Sequence, residues 1–176
     1  FNSPVDKIVY DVSHQCYTHK ILTGRKHGFL DENKYSEISG YTTQHESEHD
    51  FFIVGHTSTS ISLACGLCEA RDIKKEKSNI IAFIGDGSLS GGLAYEGLNN
   101  ASEYGKNLII VVNDNDMSIG ETSGGLYKNL KKLRETKGNC EDNFFKALGL
   151  DYVYVDDGHD IENLIEVFSK VKDIDH

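Results

Sequence analysis

Apolar residues along this chain form short runs that alternate with stretches of helical periodicity. Runs rich in β-branched and aromatic residues predict five strands, at 7–12, 51–54, 79–84, 108–112 and 152–155. Apolar side chains that recur every three or four residues predict helices at 58–73, 90–103, 126–135, 142–148 and after a capping residue, Asp160. Strands that alternate with helices are typical of parallel βαβ units. We therefore expect an α/β fold whose doubly wound, mostly parallel sheet is flanked by helices.

Two polar stretches interrupt this pattern. Residues 26–50 carry many charges and two glycines, and residues 118–125 are also polar and contain glycine. Because neither stretch has apolar periodicity, we expect few buried contacts to hold them, and we expect both to be mobile. His45 and His49, in the first stretch, are expected on its surface.

The length of the chain suits a single domain over residues 1–176, since domains cluster near about 100–150 residues. The first residue is Phe1 and not Met, and the sequence stops just after an amphipathic helical pattern. We expect the chain to be a fragment of a longer one.

Charge and apolar content limit the classes of partner. The chain has 18 Lys and Arg against 28 Asp and Glu, a net charge of −10, and its densest basic cluster spans only 128–137. A net-acidic chain repels nucleic acid unless a basic stripe is concentrated on one face. The longest aliphatic runs have five residues, whereas a membrane span needs about 18 or more. We therefore expect neither nucleic acid nor a membrane as a partner.

The four cysteines, at positions 16, 65, 68 and 140, follow no signal-peptide pattern. Free thiols and a cytoplasmic location fit this usage best. Cys65 and Cys68 form a lone CxxC inside an apolar helical stretch. The stretch favours the packing of small side chains, and zinc binding or redox chemistry is the alternative.

Polar clusters follow four of the predicted strands, at 13–14, 55–57, 85–88 and 113–115. In α/β sheets, ligands bind beyond the carboxyl ends of the strands. The four clusters therefore predict one site. His14 and His56 lie in two of these clusters. A lone histidine after a strand is more often structural or solvated, but at this edge a neutral imidazole can donate a hydrogen bond to a phosphate oxygen.

The most specific cluster is Gly85-Asp86-Gly87-Ser88, which follows a strand and opens a helix. A carboxylate between two glycines repels a bare diphosphate, but it can bind a divalent cation whose shell is completed by phosphate oxygens. Asn115 stands 29 residues after Asp86, at the end of the next strand, and offers an amide oxygen. Each cluster alone also fits a polar turn. The two together, at this spacing, favour a metal-diphosphate site.

These segments resemble the 1-deoxy-D-xylulose-5-phosphate synthase family. GDG followed by Asn after just under thirty residues is the thiamin diphosphate motif, and residues 84–119 are similar to that family's version of it. Residues 10–25, 54–62 and 156–164 are similar to further family segments in the same order. The resemblance covers most of the chain outside 26–50. Transketolases share the metal motif and a Gly-His turn, but their version of the first segment is unlike this one.

The resemblance implies a thiamin diphosphate-binding fold and the groups that hold the cofactor. Mg²⁺ would be held by Asp86, Asn115 and the carbonyl of Met117. Thiamin diphosphate would be contacted by His14, Gly55, His56, Thr57, Gly87, Ser88 and Asn115. The family more often has Gly at the position of Ser13, and the stretch from Asn115 to the 156–164 segment is shorter than in many members.

The activity implied by the resemblance is condensation of pyruvate with glyceraldehyde 3-phosphate, with loss of CO2. The product, 1-deoxy-D-xylulose 5-phosphate, feeds isoprenoid precursors, thiamin and pyridoxal. The family also implies a homodimer and a pyrimidine-binding domain later in the parent chain, which carries the activating Glu. We therefore assign no catalytic residue here and expect the fragment alone to be inactive. Transketolase-like transfer is the alternative enzyme, and a non-catalytic or split-enzyme cofactor-binding module is the alternative class.

Overall fold

A three-stranded parallel sheet lies at the centre of the structure, a computed structural model that describes residues 1–104, 107–115 and 123–174. The strands, in their spatial order, are β1 (Lys7–Tyr10), β2 (Ile80–Gly85) and β3 (Leu108–Asn113). Both pairings are parallel, so the carboxyl ends of all three strands meet at one edge of the sheet. The predicted α/β fold with a parallel sheet is confirmed.

Eight α-helices connect and flank the strands in the described part of the chain. In chain order they are α1 (Tyr17–Lys20), α2 (His27–Leu30), α3 (Ser60–Lys74), α4 (Asp86–Leu89), α5 (Gly92–Tyr104), α6 (Gly125–Glu135), α7 (Phe144–Ala147) and α8 (Ile161–Val171). The five predicted helices are confirmed as α3 and α5 to α8. Asp160 caps α8 as predicted, since its carboxylate accepts the N–H of Asn163 at 3.0 Å. The other three helices have four residues each, too few to show a periodicity.

Two of the predicted strands are wrong. Residues 51–54 and 152–155 have no regular secondary structure. In the first segment Ile53 is 65% exposed, and the carbonyl of Val54 accepts a hydrogen bond from the Ser13 hydroxyl instead of a neighbouring strand. In the second, Val153 is 55% exposed, and Tyr152 stacks on Phe145. Neither run pairs with a strand among the described residues.

The main core lies between β2 and the two long helices α3 and α5, which pack against each other. Ile61 and Ala64 of α3 are fully buried against Leu98 of α5. Cys65 and Cys68 belong to this core, and neither forms a disulfide. Burial raises the pKa of the Cys68 thiol to about 12, so the thiolate needed for metal binding or redox chemistry is disfavoured. The packing interpretation of the CxxC is therefore supported.

The segment 26–50 is held by more buried contacts than its composition predicts. It contains α2 and a 3-10 helix over Glu32–Glu37, and Thr42 and Asp50 near its end are buried. Our expectation of few buried contacts in 26–50 is therefore wrong. For the second polar stretch, residues 118–122 lie outside the described part of the chain.

A buried ion cluster explains this difference. Arg25 donates to both carboxylate oxygens of Asp50, at 2.5 and 2.9 Å, and His19 Nε2 lies 3.0 Å from the same carboxylate. Lys20, which is fully buried, pairs with Glu46 at 2.5 Å. Burial alone would raise the pKa of Asp50, but the hydrogen bonds from His19 and Arg25 hold it well below the ordinary carboxyl range. Charged side chains thus anchor a segment that has no apolar stripe.

We predict that Asp50→Asn lowers the free energy of unfolding by about 3 kcal/mol, because it leaves the Arg25 charge without its buried partner. Folding lowers the pKa of Asp50. The stability that its carboxylate contributes is therefore present above the pKa of the unfolded state and is lost as the pH falls through the pKa of the folded state. Urea unfolding at about pH 7 and about pH 3 measures both effects, and the difference between wild type and variant should shrink at the lower pH.

The control is Lys170→Gln, which breaks an exposed pair with Glu166 on α8. This change should leave the free energy of unfolding nearly unchanged, because water screens an exposed pair. Equal stabilities of the Asp50 variant and the control would contradict the anchoring role of the cluster.

Candidate functional site

The chain turns sharply where it leaves β1, and a buried carboxylate organises the turn. Asp11 is 1% exposed and accepts the backbone N–H groups of Ser58, at 2.8 Å, and Ser60, at 3.0 Å. Val12 and Ser13 then adopt positive φ values of 56° and 73°. A β-branched residue in this conformation is an outlier, and such strain persists only where the surroundings enforce it.

Ser13 ties the same turn to two other segments. Its hydroxyl donates to the carbonyl of Val54 at 3.3 Å and accepts the N–H of Thr42 at 2.9 Å. A glycine at this position would lack both bonds. The turn leaves the next residue, His14, exposed at the edge of the sheet.

The loop before α3 is joined to the turn after β2. Gly55, His56 and Thr57 are exposed, whereas Ser58 is buried and donates from its hydroxyl to the carbonyl of Ser88 at 2.7 Å. Gly91 has to be a glycine here, because a Cβ would overlap the hydroxyl of Ser58.

Three of the four predicted clusters are thus linked by hydrogen bonds. Asp11 holds the loop of residues 55–57 to the end of β1, and Ser58 joins that loop to the turn of residues 87–88. Ser13 belongs to the predicted cluster 13–14, whereas Asp11 and Ser58 lie just outside the predicted clusters. The carboxylate of Asp11 and the hydroxyl of Ser58 bond to residues that lie 30 to 49 positions away in the chain. No local sequence pattern indicates such pairs.

Asp86 begins α4 directly after β2 and is 3% exposed. Its Oδ2 has no hydrogen-bond partner among the described residues. Burial raises the pKa of this carboxyl, and the negative charge of Asp114 raises it further, while the N–H of Gly87 and the charge of Arg134 oppose the rise. A buried, unpaired carboxylate oxygen is costly. A bound cation would offset this cost.

The fourth cluster follows β3. Gly85 is paired with Asn113, so Asp86 and Asp114 leave neighbouring strands at equivalent positions. Arg134 of α6 donates from Nη1 to both carboxylate oxygens of Asp114, at 2.7 and 2.5 Å. Asn115 is exposed beside this pair. Met117, the third predicted metal ligand, lies outside the described residues.

The groups at this edge fit a hard divalent cation better than a soft one. Asp86 has a carboxylate and Asn115 an amide, and their oxygens are the kinds of ligand that Mg²⁺ takes together with phosphate oxygens. Within the described ranges, no three His, Cys, Asp or Glu side chains are grouped to hold a metal ion. The predicted site would have only one such side chain, the Asp86 carboxylate, together with the Asn115 amide and phosphate oxygens of the ligand, so it is not a group of this kind. The assignments of single residues stay predictions.

The family model for 1-deoxy-D-xylulose-5-phosphate synthase matches residues 1–141, which is most of the chain. This chain belongs to the 1-deoxy-D-xylulose-5-phosphate synthase family. The synthase of Listeria monocytogenes is 47% identical over 171 residues, which cover 94% of this chain and 28% of the relative. Synthase 1 of Geobacter metallireducens is 42% identical over 211 residues, and the match covers 99% of this chain and 34% of the relative.

Solved structures share the fold of this synthase-family chain. Transketolase from Leishmania mexicana superposes with a TM-score of 0.70 at 18% identity, over 97% of this chain and 27% of that one. A transketolase mutant from Pichia stipitis superposes with a TM-score of 0.65 at 24% identity, and the match covers 97% of this chain and 27% of that one. At these identities the likeness shows the fold alone.

The chain spans about a third or less of the length of these synthases. The alignment to the Geobacter protein is longer than the chain itself, so that relative has segments which this chain lacks. No helix in the described ranges is long and apolar enough to cross a membrane.

We predict that Asp11→Asn lowers the free energy of unfolding by about 2 kcal/mol, because an amide cannot accept both N–H groups and leaves a buried donor unpaired. Hydrogen exchange at Ser58 and Ser60 should accelerate. The control, Asp72→Asn, changes a carboxylate that is 42% exposed. Unchanged exchange at both serines in the Asp11 variant would show that the carboxylate does not hold this loop.

We predict the opposite sign for Asp86→Asn in the absence of metal, a gain of about 1 kcal/mol, because the buried unpaired charge is removed. Folding raises the pKa of Asp86. The charge of this carboxylate therefore destabilises the metal-free protein as the pH rises from the pKa of the unfolded state through the pKa of the folded state. Urea unfolding against pH should therefore show a gain at neutral pH that vanishes in acid. Glu69→Gln, an exposed acid on α3, is the control. A loss of stability at neutral pH would mean that the Asp86 carboxylate has a partner in the folded protein.

Proposed function

We propose that this chain supplies the metal-diphosphate half of the site in a thiamin diphosphate-dependent enzyme that makes 1-deoxy-D-xylulose 5-phosphate. The substrates are pyruvate and glyceraldehyde 3-phosphate, and CO2 is lost. The observation that carries the proposal is the buried Asp86 carboxylate at the carboxyl edge of the sheet in a chain of this family. One oxygen of this carboxylate has no partner in the part of the chain that the structure describes.

Mg²⁺ is held by Asp86, by the amide of Asn115 and by the carbonyl of Met117. A cation held there would balance the charge of the Asp86 carboxylate and would offset its repulsion of a diphosphate. The glycines on both sides of Asp86 have open space where a Cβ would be, so the backbone can come close to the phosphates.

The diphosphate is bound by the backbone of Gly87 and Ser88 and by the exposed loop of Gly55, His56 and Thr57. His14, from the turn after β1, donates a hydrogen bond to the cofactor. Because Asp11 and Ser58 fix these loops relative to one another, the donors are in place before the cofactor arrives. Such preorganisation lowers the ordering cost of binding.

Thiamin diphosphate, when bound, supplies the electron sink for the carbanion that decarboxylation leaves. The residues of this chain hold and orient the cofactor. The Glu that activates the aminopyrimidine belongs to a pyrimidine-binding domain elsewhere in the parent chain, and the working enzyme is a cytoplasmic homodimer. The product serves as a precursor of isoprenoids, thiamin and pyridoxal.

Calorimetry on the protein as encoded in full tests the cofactor site. Asp86→Ala should weaken Mg²⁺-dependent binding of thiamin diphosphate by about 100-fold or more, since ligand loss exceeds the roughly 10–100-fold effect of outer-shell changes. Asn115→Ala should weaken it too. Asn113→Ala, two residues earlier and also exposed, is the matched control and should bind nearly as wild type.

Product analysis separates the proposed reaction from its alternatives. The protein should consume pyruvate and glyceraldehyde 3-phosphate with release of CO2. Transfer of a two-carbon unit from a ketose phosphate without CO2 release would indicate a transketolase reaction. Tight cofactor binding with neither reaction would indicate a binding module, and unchanged affinity in Asp86→Ala would refute the metal site.

A further inference from the structure

A second carboxylate lies beside the proposed metal ligands, and the cofactor site does not account for it. Asp114 stands between the end of β3 and Asn115, and its side chain is 15% exposed. Its negative charge acts on Asp86, which leaves the neighbouring strand at the equivalent position. Two carboxylates at one edge would bind a bare divalent cation strongly. They would also repel a diphosphate.

Arg134 engages this second carboxylate. Its Nη1 lies 2.7 and 2.5 Å from the two Asp114 oxygens, so both oxygens accept from one nitrogen. The arginine is 27% exposed, and screening by water is therefore limited. Salt bridges elsewhere on α6, such as Lys132 with Asp142, are at least half exposed.

The position of Arg134 is fixed by the packing of α6. Leu126, Leu130 and Leu133 of this helix are buried, at 8%, 3% and 2% exposure, and belong to the main core. The helix therefore presents Arg134 to Asp114 from a rigid element, and the pair does not depend on a loose surface side chain.

We propose that Arg134 is a positioning residue that holds the Asp114 carboxylate off the cation, so that the site presents Asp86 and not Asp114 to the metal. This inference rests on the proposed cofactor site. The consequence is selectivity for the metal-diphosphate pair over the bare metal. With the charge of Asp114 neutralised, this edge of the sheet binds a metal ion weakly when the ion is alone and strongly when a diphosphate accompanies it. Removing Arg134 frees Asp114 to bind the metal and to repel the phosphates.

The test compares Arg134→Gln, Asp114→Asn and the double variant in the protein as encoded in full. Mn²⁺ alone is titrated by electron paramagnetic resonance, and thiamin diphosphate is titrated by calorimetry at saturating Mg²⁺. Arg134→Gln should bind Mn²⁺ alone about tenfold more tightly and thiamin diphosphate about tenfold more weakly, a coupling within the usual range for residues in contact. The double variant should return to within about twofold of wild type in both titrations.

Lys132→Gln, which breaks an exposed pair two residues earlier on α6, is the control and should change neither affinity. If Arg134→Gln does not fold, Arg134→Met keeps the aliphatic stem and is expected to show the same opposite shifts. A purely structural role would lower both affinities together and would not be rescued by Asp114→Asn. That result overturns the inference.

The two titrations separate this inference from the proposed function. Wild type that binds Mn²⁺ but not thiamin diphosphate refutes the cofactor site, and the order of Mn²⁺ affinities among the variants still decides the role of Arg134. Tight Mg²⁺-dependent cofactor binding with equal Mn²⁺ affinities in all variants refutes the role of Arg134 alone. No Mn²⁺ binding by any of the proteins overturns both.

Discussion

The candidate site depends on the buried carboxylate of Asp11. It accepts the N–H groups of Ser58, just before α3, and of Ser60, the first residue of α3, and so fixes the start of this helix to the end of β1. The hydroxyl of Ser58 then extends the link to the turn after β2. Parallel strands bring their carboxyl ends to one edge, but the loops there would otherwise be free to separate. These hydrogen bonds make the edge a single surface.

Charge is distributed unevenly over this surface. Asp11 has donors for both oxygens, and Asp114 is paired with Arg134. Asp86 is buried, and one of its oxygens has no partner among the described residues. The charge of such a group opposes folding. The proposed metal site accounts for this imbalance, because a bound cation would offset the charge. The buried cluster around Asp50 shows that this chain pairs buried acids where they only support the fold.

Much of the fold was predictable from the local sequence pattern. The 3.6-residue repeat is long in α3, α5, α6 and α8, and each of the strands β1, β2 and β3 contains a continuous apolar run. The segments 51–54 and 152–155 have the same local appearance but no adjacent strand among the described residues, and a sequence window does not contain that information. The contacts that were missed, such as Asp11 with Ser58, join residues 47 positions apart. Residues 26–50 were misjudged because charged pairs, which have no periodicity, hold them in place.

The most direct measurement is a crystal structure of the protein as encoded in full with Mg²⁺ and thiamin diphosphate bound. We predict that the metal lies between the Asp86 carboxylate and the Asn115 amide. The diphosphate should contact residues 55–57 and 87–88, and Asp114 should still be paired with Arg134. A metal ion or a diphosphate bound away from this edge, with the Asp86 oxygen left unpartnered, would contradict the account.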